Sequence, residues 1–124
     1  MAVSITPNEW HIMELLWQSP LTLMELVRQM GQTEGWAKST VATMVRRMEG
    51  KGLVSYKENG RTKTFCAAVE KEEVIATETS SLLHRAYDGS ISLLVSTMAK
   101  RNDLTRADID ELYAILQKAE EEMK

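Results

Sequence analysis

Apolar side chains between residues 41 and 48 recur with the period of an α-helix. Val41, Met44, Val45 and Met48 fall at i, i+3, i+4 and i+7, which places them on one stripe of a helical surface. Two glycines follow Met48 within four residues, and glycine commonly ends a helix. The pattern therefore predicts a helix that buries this stripe and ends near residue 50.

The opposite face of this helix is small, hydroxylic and cationic. At about 100° per residue, Ser39, Thr43 and Arg46 lie nearly opposite the stripe. Hydroxyls reach phosphates or base edges, and arginine can bind guanine with two hydrogen bonds. The candidate DNA-binding residues of the helix are Lys38, Ser39, Thr40, Thr43, Arg46 and Arg47. Taken alone, the same face is equally typical of an ordinary solvated helix.

A short hairpin is predicted directly after the helix. Residues 53–57 favour β-structure, Asn59-Gly60 suits a two-residue turn, and residues 61–66 return as a second strand. With that turn, Tyr56 would face Lys63. The candidate phosphate contacts at the tip are Lys57, Arg61 and Lys63.

Two more helices are predicted ahead of this region by their start signals. Thr6 with Glu9, and Thr22 with Glu25, have the spacing of a capping box, and Ser19-Pro20 separates the two helices. A loop from Gly31 to Trp36 would join the second helix to the third. The order of three helices and a hairpin is that of a winged helix-turn-helix.

Residues 70–124 are predicted to form three further helices, of which the first two meet near Gly89 and the last begins after Thr105. Three short helices make a marginal core, so a second copy would bury their leftover apolar stripes. Packing within one chain, giving a monomer, is the alternative. The candidate dimerisation residues are Leu82, Ile91, Leu94, Val95, Met98, Ile109, Leu112, Tyr113 and Leu116.

The two halves of the chain differ in charge. The chain has a net charge of −3, yet residues 36–66 hold seven Lys or Arg against two Glu, whereas residues 70–124 carry a net charge of −5. A polyanion would be attracted to the first region and repelled by the second. We therefore expect a DNA-binding domain over residues 1–69 and a dimerisation domain over residues 70–124.

Little in the sequence favours an enzyme or a metal site. Ser81 and His84 are simple helix neighbours without a visible orienting acid, and no phosphate-binding glycine loop is present. Cys66 is the only cysteine, and a small buried apolar role is expected for it. We expect no catalysis, no metal and no cofactor. With no signal peptide or membrane span visible, we expect a cytoplasmic protein without a membrane partner.

Motifs along nearly the whole chain resemble the BlaI/MecI/CopY family of penicillinase repressors. The similar segments are Ile5–Trp17, Trp36, Lys38–Val41, Thr43, Arg47, Lys51-Gly52, Gly60-Arg61, Ser80–Leu83, Tyr87–Ser90, Leu94-Val95 and Asp110–Leu112. The fold that the resemblance implies is mainly α with a small β-hairpin: a winged helix-turn-helix domain followed by a C-terminal helical dimerisation region. The copper-responsive branch carries paired C-terminal cysteines, and this chain has none there.

The resemblance also implies a function, that of a homodimeric repressor bound to a palindromic operator in double-stranded DNA. In the family, a β-lactam-resistance or related stress-response gene is controlled, and a membrane-bound sensor protease cuts the middle C-terminal helix. The matching positions here are Thr97 and Met98, which depart from the family's Asn and Phe. The alternative is a winged-helix adaptor that binds another protein without sequence-specific DNA binding.

Overall fold

The computed structural model describes residues 4–124 and is mainly α-helical with a small antiparallel sheet. The predicted fold class is confirmed. The elements in chain order are α1 (Pro7–Gln18), β1 (Leu21–Thr22), α2 (Leu23–Glu34), α3 (Lys38–Gly50), β2 (Val54–Asn59), β3 (Thr62–Ala67), α4 (Lys71–Tyr87), α5 (Ile91–Lys100) and α6 (Arg106–Glu122). They form two compact units, the first ending at Thr79 and the second beginning at Ser80.

Reciprocal capping fixes the starts of α1 and α2, as predicted. The Glu9 amide donates to Thr6 Oγ1 at 3.2 Å, and the Thr6 amide donates to Glu9 Oε1 at 3.0 Å. Thr22 and Glu25 form the same pair of bonds. Each box satisfies two amides that a helix start would otherwise leave without an acceptor.

The predicted loop from Gly31 to Trp36 is wrong, because α2 continues through Gly31 to Glu34. Gly35 ends the helix in the left-handed conformation, with φ of 71°, and its amide donates to the Gly31 carbonyl. A glycine inside a helix costs only about 1 kcal/mol, which the packing of α2 offsets. The connection to α3 is therefore shorter than expected.

The sheet has the order β1-β3-β2, and its short first strand was not predicted. Leu21 pairs with Phe65, so the segment between α1 and α2 becomes the third strand. Two residues of β-structure are too few to give a period in the sequence.

The hairpin turn lies one residue later than predicted. Asn59 pairs with Thr62, so Gly60 and Arg61 are the central turn residues, and Tyr56 faces Phe65 rather than Lys63. Gly60 has φ of 71°, and glycine at the first central position is the pattern of a type II′ turn. The change moves each partner by two residues, so every side chain keeps its predicted face of the sheet.

One apolar core holds the winged helix together. It takes residues from α1, α2, α3 and the sheet, and several of them have no exposed surface. The buried members are Ile12, Met13, Leu16, Leu21, Leu26, Met30, Val41, Val45, Met48, Leu53, Val54 and Phe65. The predicted stripe of α3 is thus in the core, although Met44 lies at its edge and is only partly buried.

The second unit has well-defined helix starts but no buried side chain in the single chain. Ser90 Oγ accepts from the Leu93 amide at the start of α5, and Thr105 with Asp108 forms a third capping box at the start of α6. Its helices are therefore specified locally, and their apolar stripes remain accessible.

Candidate nucleic-acid interface

Helix α3 presents its polar face to solvent. Lys38, Ser39, Thr40, Thr43, Arg46 and Arg47 are all exposed. Val41, Val45 and Met48 on the other side are at most 2 % exposed, which fixes the rotation of the helix about its axis. The helix therefore holds hydroxyls and cations outward on a rigid support, as a groove-reading helix requires.

The N-terminus of α3 lacks the side-chain cap that α1, α2 and α6 have. Ala37 occupies the N-cap position with extended backbone, and no side chain there accepts from the first-turn amides. Ala37 has no side-chain acceptor, and the Thr40 amide donates instead to the Ala37 carbonyl at 3.1 Å.

A buried ion pair holds the other end of α3, and sequence analysis missed it. Lys51, the C-cap residue, donates from Nζ to both carboxylate oxygens of Glu9 at 2.8 and 3.1 Å, and to the Ser4 carbonyl at 3.1 Å. The Glu9 side chain is 1 % exposed. The pair joins residues 42 positions apart, so local patterns could not reveal it.

The environment of Glu9 keeps its carboxyl ionised. Burial alone would raise the pKa of Glu9, but the bonds from Lys51 and Thr6 outweigh burial and hold the pKa below its ordinary value of 4.5. The carboxylate therefore remains charged around neutral pH, and it bridges the start of α1 and the end of α3.

The three cations predicted for the wing, the β2–β3 hairpin, are all exposed. Lys63 lies over the Tyr56 ring, with Nζ 4.2 Å from the ring centroid, and Tyr56 packs against Phe65 at the base of the hairpin. The Tyr56 ring therefore positions Lys63, while Arg61 lies in the turn itself.

Helix α3 and the wing share a cleft of about 630 Å³, called here the wing cleft. Arg46 lines it from α3, and Arg61 and Lys63 line it from the wing. Its lining residues are Thr22, Leu23, Met24, Ala42, Val45, Arg46, Glu49, Arg61, Thr62, Lys63 and Phe65. Three of the predicted DNA contacts thus meet at one concave surface.

A second, smaller recess lies along α3. It is lined by Ser39, Thr40, Thr43, Met44 and Arg47, which places four more of the predicted DNA contacts together. Lys57 lies elsewhere, on the outer side of the hairpin beside Cys66. The structure thus divides the predicted contacts into a wing-cleft group, an α3 group, Lys57, and Lys38, which is exposed at the start of α3 and lines neither recess.

Cys66 differs from the expected buried role. The side chain is only partly buried, and its Sγ lies 3.3 Å from Ser55 Oγ on the paired strand. By alternation along β3, Cys66 lies on the face of the hairpin opposite Phe65, beside Lys57 and Pro20. Within residues 4–124, no three His, Cys, Asp or Glu side chains come together as a metal site would require.

The candidate dimerisation residues of the second unit are exposed or only partly buried. Tyr113 is 70 % exposed and Leu116 is 64 % exposed in the single chain, as is Ile91 at 66 %. Leu94, Ile109 and Leu112 are partly buried, whereas Leu82, Val95 and Met98 are exposed. Single exposed apolar residues are common on surfaces, but contiguous stripes of them mark interaction sites.

The positions that match the family's cleavage site lie inside α5. Thr97 Oγ1 donates to the Leu93 carbonyl at 2.8 Å, one turn back along the helix. Thr97 is partly buried and Met98 is exposed.

No helix among residues 4–124 is both long and apolar enough to span a bilayer.

Comparison with known proteins gives a match along most of the chain. The family model described as penicillinase repressor matches residues 5–118. The penicillinase repressor of Bacillus licheniformis is 26 % identical over 114 residues, covering 91 % of this chain and 89 % of that protein. The methicillin resistance regulatory protein MecI of Staphylococcus aureus (strain N315) is 23 % identical, covering 92 % of this chain and 94 % of its own.

Solved structures of regulators share the fold over part or nearly all of the chain. The DNA-binding domain of the repressor BlaI covers 59 % of this chain and 90 % of its own, with a TM-score of 0.54 and 22 % identity. A structure of monomeric Bacillus licheniformis BlaI with the blaP half-operator has a TM-score of 0.52 at 21 % identity, covering 59 % of this chain and 90 % of its own. A Thermotoga maritima transcriptional regulator, Tm0710, covers 96 % of this chain and 76 % of its own with a TM-score of 0.52 at 22 % identity.

Proposed function

The chain belongs to the penicillinase repressor family, and from this membership we propose that it is a homodimeric transcriptional repressor that binds a palindromic operator. The family is one of DNA-binding regulators rather than enzymes. The observation that carries the proposal is the wing cleft, where Arg46 of α3 meets Arg61 and Lys63 of the wing. Such convergence lets one surface contact base edges and phosphates together.

In this proposal the nine candidate contact residues have different roles. Ser39, Thr43 and Arg46 face the major groove, while Lys38, Thr40 and Arg47 lie at its edges and Lys57, Arg61 and Lys63 hold the flanking backbone. All nine side chains are exposed, and within residues 4–124 none of the six cations among them forms an ion pair. This supports the arrangement, because the cations are available for phosphates. We assign DNA binding to residues 1–69.

We assign dimerisation to residues 70–124. A C2 dimer would present two α3 helices to two half-sites, which matches a palindrome. The accessible stripes on α5 and α6 support this role, since a second copy would cover them. The acidic charge of this half keeps it away from DNA.

Release from DNA would follow cleavage in α5 at or near Thr97 and Met98 by a sensor protease. Cutting this helix would separate the two DNA-binding domains of the dimer. The effective concentration of the second domain at its half-site would then fall. The names of the relatives, a penicillinase repressor and a methicillin resistance regulator, support a β-lactam-resistance or related stress-response gene as target.

The proposal is tested by binding to the DNA upstream of the protein's own gene. Fluorescence anisotropy on a fragment holding the palindrome should show tighter binding than on a shuffled fragment of equal composition. If the dimer makes about 6 to 10 phosphate contacts, affinity should fall by ~10³ to 10⁵ between roughly 50 and 200 mM salt. Equal binding to both fragments, or none, would contradict the proposal and favour a protein-binding adaptor.

A further inference from the structure

The wing cleft has a floor that DNA phosphates would not use. Val45 and Phe65 lie at its base and are only 2 % and 6 % exposed, and Met24 at the start of α2 lines it while remaining 57 % exposed. A phosphate gains from cations and amides but gains nothing from an apolar surface. The cleft therefore combines a cationic rim with an apolar floor, and DNA binding explains only the rim.

The size and charge of the cleft suit a small ligand. Its volume of about 630 Å³ is in the range of small-molecule sites, which are mostly apolar with a few convergent polar groups. Arg46, Arg61 and Lys63 carry three positive charges, and Glu49 carries one negative charge. The net charge of the lining is therefore +2, which attracts anions, and Glu49 repels a compact, highly charged anion more than a singly charged one.

We propose that the wing cleft binds a small monocarboxylate with an apolar tail, and that the bound carboxylate displaces DNA. The carboxylate would be held by Arg46 and Arg61, and the tail would lie on Met24, Val45 and Phe65. Displacement follows because both arginines would be engaged by the ligand instead of by DNA. This second part rests on the proposed function, whereas binding of the carboxylate does not.

The test of binding uses the full chain labelled with ¹⁵N and the probe 4-phenylbutyrate. Amide shifts should saturate at residues lining the wing cleft, with a Kd of about 1 mM or below for a ligand of this size. The neutral amide 4-phenylbutyramide tests the need for charge, and inorganic phosphate tests the need for the tail. Both should bind much more weakly than phenylbutyrate.

Three results would overturn the site. Shifts that do not saturate, or that lie outside the wing cleft, would show that phenylbutyrate does not bind there. Equal affinity for phenylbutyramide would remove the role of the arginines. Equal affinity for phosphate would show that the apolar tail adds nothing, and that the cleft serves only to bind a phosphate group of DNA.

A variant pair checks the location of the tail. Met24→Glu puts a negative charge on the cleft floor at a helix start, where acidic residues are tolerated, so the fold should persist. Its affinity for phenylbutyrate should fall by about tenfold or more through like-charge repulsion. Met123→Glu, at an 84 % exposed position in the second unit, is the matched control and should bind the probe unchanged. Equal affinity in the two variants would contradict the site.

The DNA measurement separates this inference from the proposed function. Phenylbutyrate should lower the affinity of the chain for its operator fragment, and phenylbutyramide should not. If the chain binds no DNA, the proposed function and the displacement both fail, while the labelled-chain titration still decides whether the cleft holds the carboxylate. If DNA binds and phenylbutyrate occupies the cleft without displacing it, the displacement alone is wrong.

Discussion

The two units of the chain differ in how far they bury their apolar side chains. The first unit encloses its apolar residues, and Ile12, Met13, Leu26 and Met48 have no exposed surface at all. The second unit has equally clear helices but leaves Tyr113 and other apolar residues largely exposed. The first unit therefore has its own apolar core, whereas the helices of the second unit leave apolar surface accessible to another surface. In the proposed function that surface is a second copy.

The largest effect is expected from breaking the stripe of the second unit. Leu116→Asp would place a charge where two copies meet, and the dimer should dissociate. Operator affinity should then fall by roughly 10²- to 10⁴-fold, because the second DNA-binding domain is no longer tethered to the first. Analytical ultracentrifugation and operator binding measure the two effects. Ala114→Asp, at an exposed position on the opposite face of α6, is the control and should remain dimeric. An unchanged dimer in Leu116→Asp would show that the apolar stripe of α6 is not where two copies meet.

A smaller effect, on stability, is expected from the buried ion pair of the first unit. Lys51→Met leaves Glu9 buried without its partner and should lower the free energy of unfolding by about 2 to 4 kcal/mol. Lys71→Met removes the exposed pair with Glu14 and should cost ~1 kcal/mol or less. Urea unfolding at one fixed protomer concentration compares them. Equal losses would show that burial of Glu9 is unimportant.

The same pair gives a dependence on pH. Because the pKa of Glu9 is lowered in the folded protein, its contribution is complete above about 4.5 and is lost as the pH falls through the folded value. In Lys51→Met, burial without the lysine should raise that pKa. The stability difference between the native chain and the variant should therefore begin to shrink above pH 4.5, where Glu9 of the variant takes up a proton, and should continue to shrink below it, as urea unfolding at several pH values would show. A difference that stays constant there would argue against an ionised Glu9.

Within the first unit, α3 and the wing should differ in what they contribute to DNA binding. Arg46→Ala should cost ~1 to 3 kcal/mol at one base position and relax sequence preference there. Arg61→Ala should weaken operator and random DNA alike, and it should reduce the salt slope by about one for each substituted protomer. Binding isotherms on both DNAs at several salt concentrations measure this. Equal loss on both DNAs for Arg46→Ala would make it a phosphate contact.

The smallest effect concerns the helix starts. Ala37→Ser would supply the missing N-cap oxygen in a backbone conformation that already suits it, and should stabilise the protein by about 0.5 to 1 kcal/mol. Thr105→Ala removes a cap from the second unit and should cost ~1 kcal/mol. Thermal unfolding measures both. No gain from Ala37→Ser would indicate that the Ala37 carbonyl and water already satisfy the first-turn amides of α3.

Features specified by neighbouring residues were predictable from the sequence. The capping boxes at Thr6, Thr22 and Thr105, the core stripe of α3 and the six helices depend on contacts within a few positions, and the structure has them. The hairpin turn was predicted one residue too early because two neighbouring residue pairs can each form it. Asn59-Gly60 and Gly60-Arg61 can both form a two-residue turn, and only the pairing of β3 with β1 and β2 decides between them.

Features that depend on distant residues were not predictable. Strand β1 exists because Leu21 meets Phe65, and the Lys51 ammonium reaches Glu9 across 42 positions. Neither residue of the ion pair is unusual in its own segment. The choice of contact residues for DNA and for a second copy stays a prediction, since exposure alone leaves many side chains available.

Glu9 has consequences for which sequences this fold tolerates. Its carboxylate accepts from the Thr6 amide and from Lys51 at once, so two separate structural demands fall on a single position. Glu25 forms the capping bonds of its own helix and no ion pair within residues 4–124, so glutamine would be an adequate replacement there. At position 9 glutamine would keep the cap and lose the charge, and aspartate would keep the charge with a shorter reach. In a saturation library, we therefore expect position 9 to accept almost nothing but glutamate, while position 25 varies.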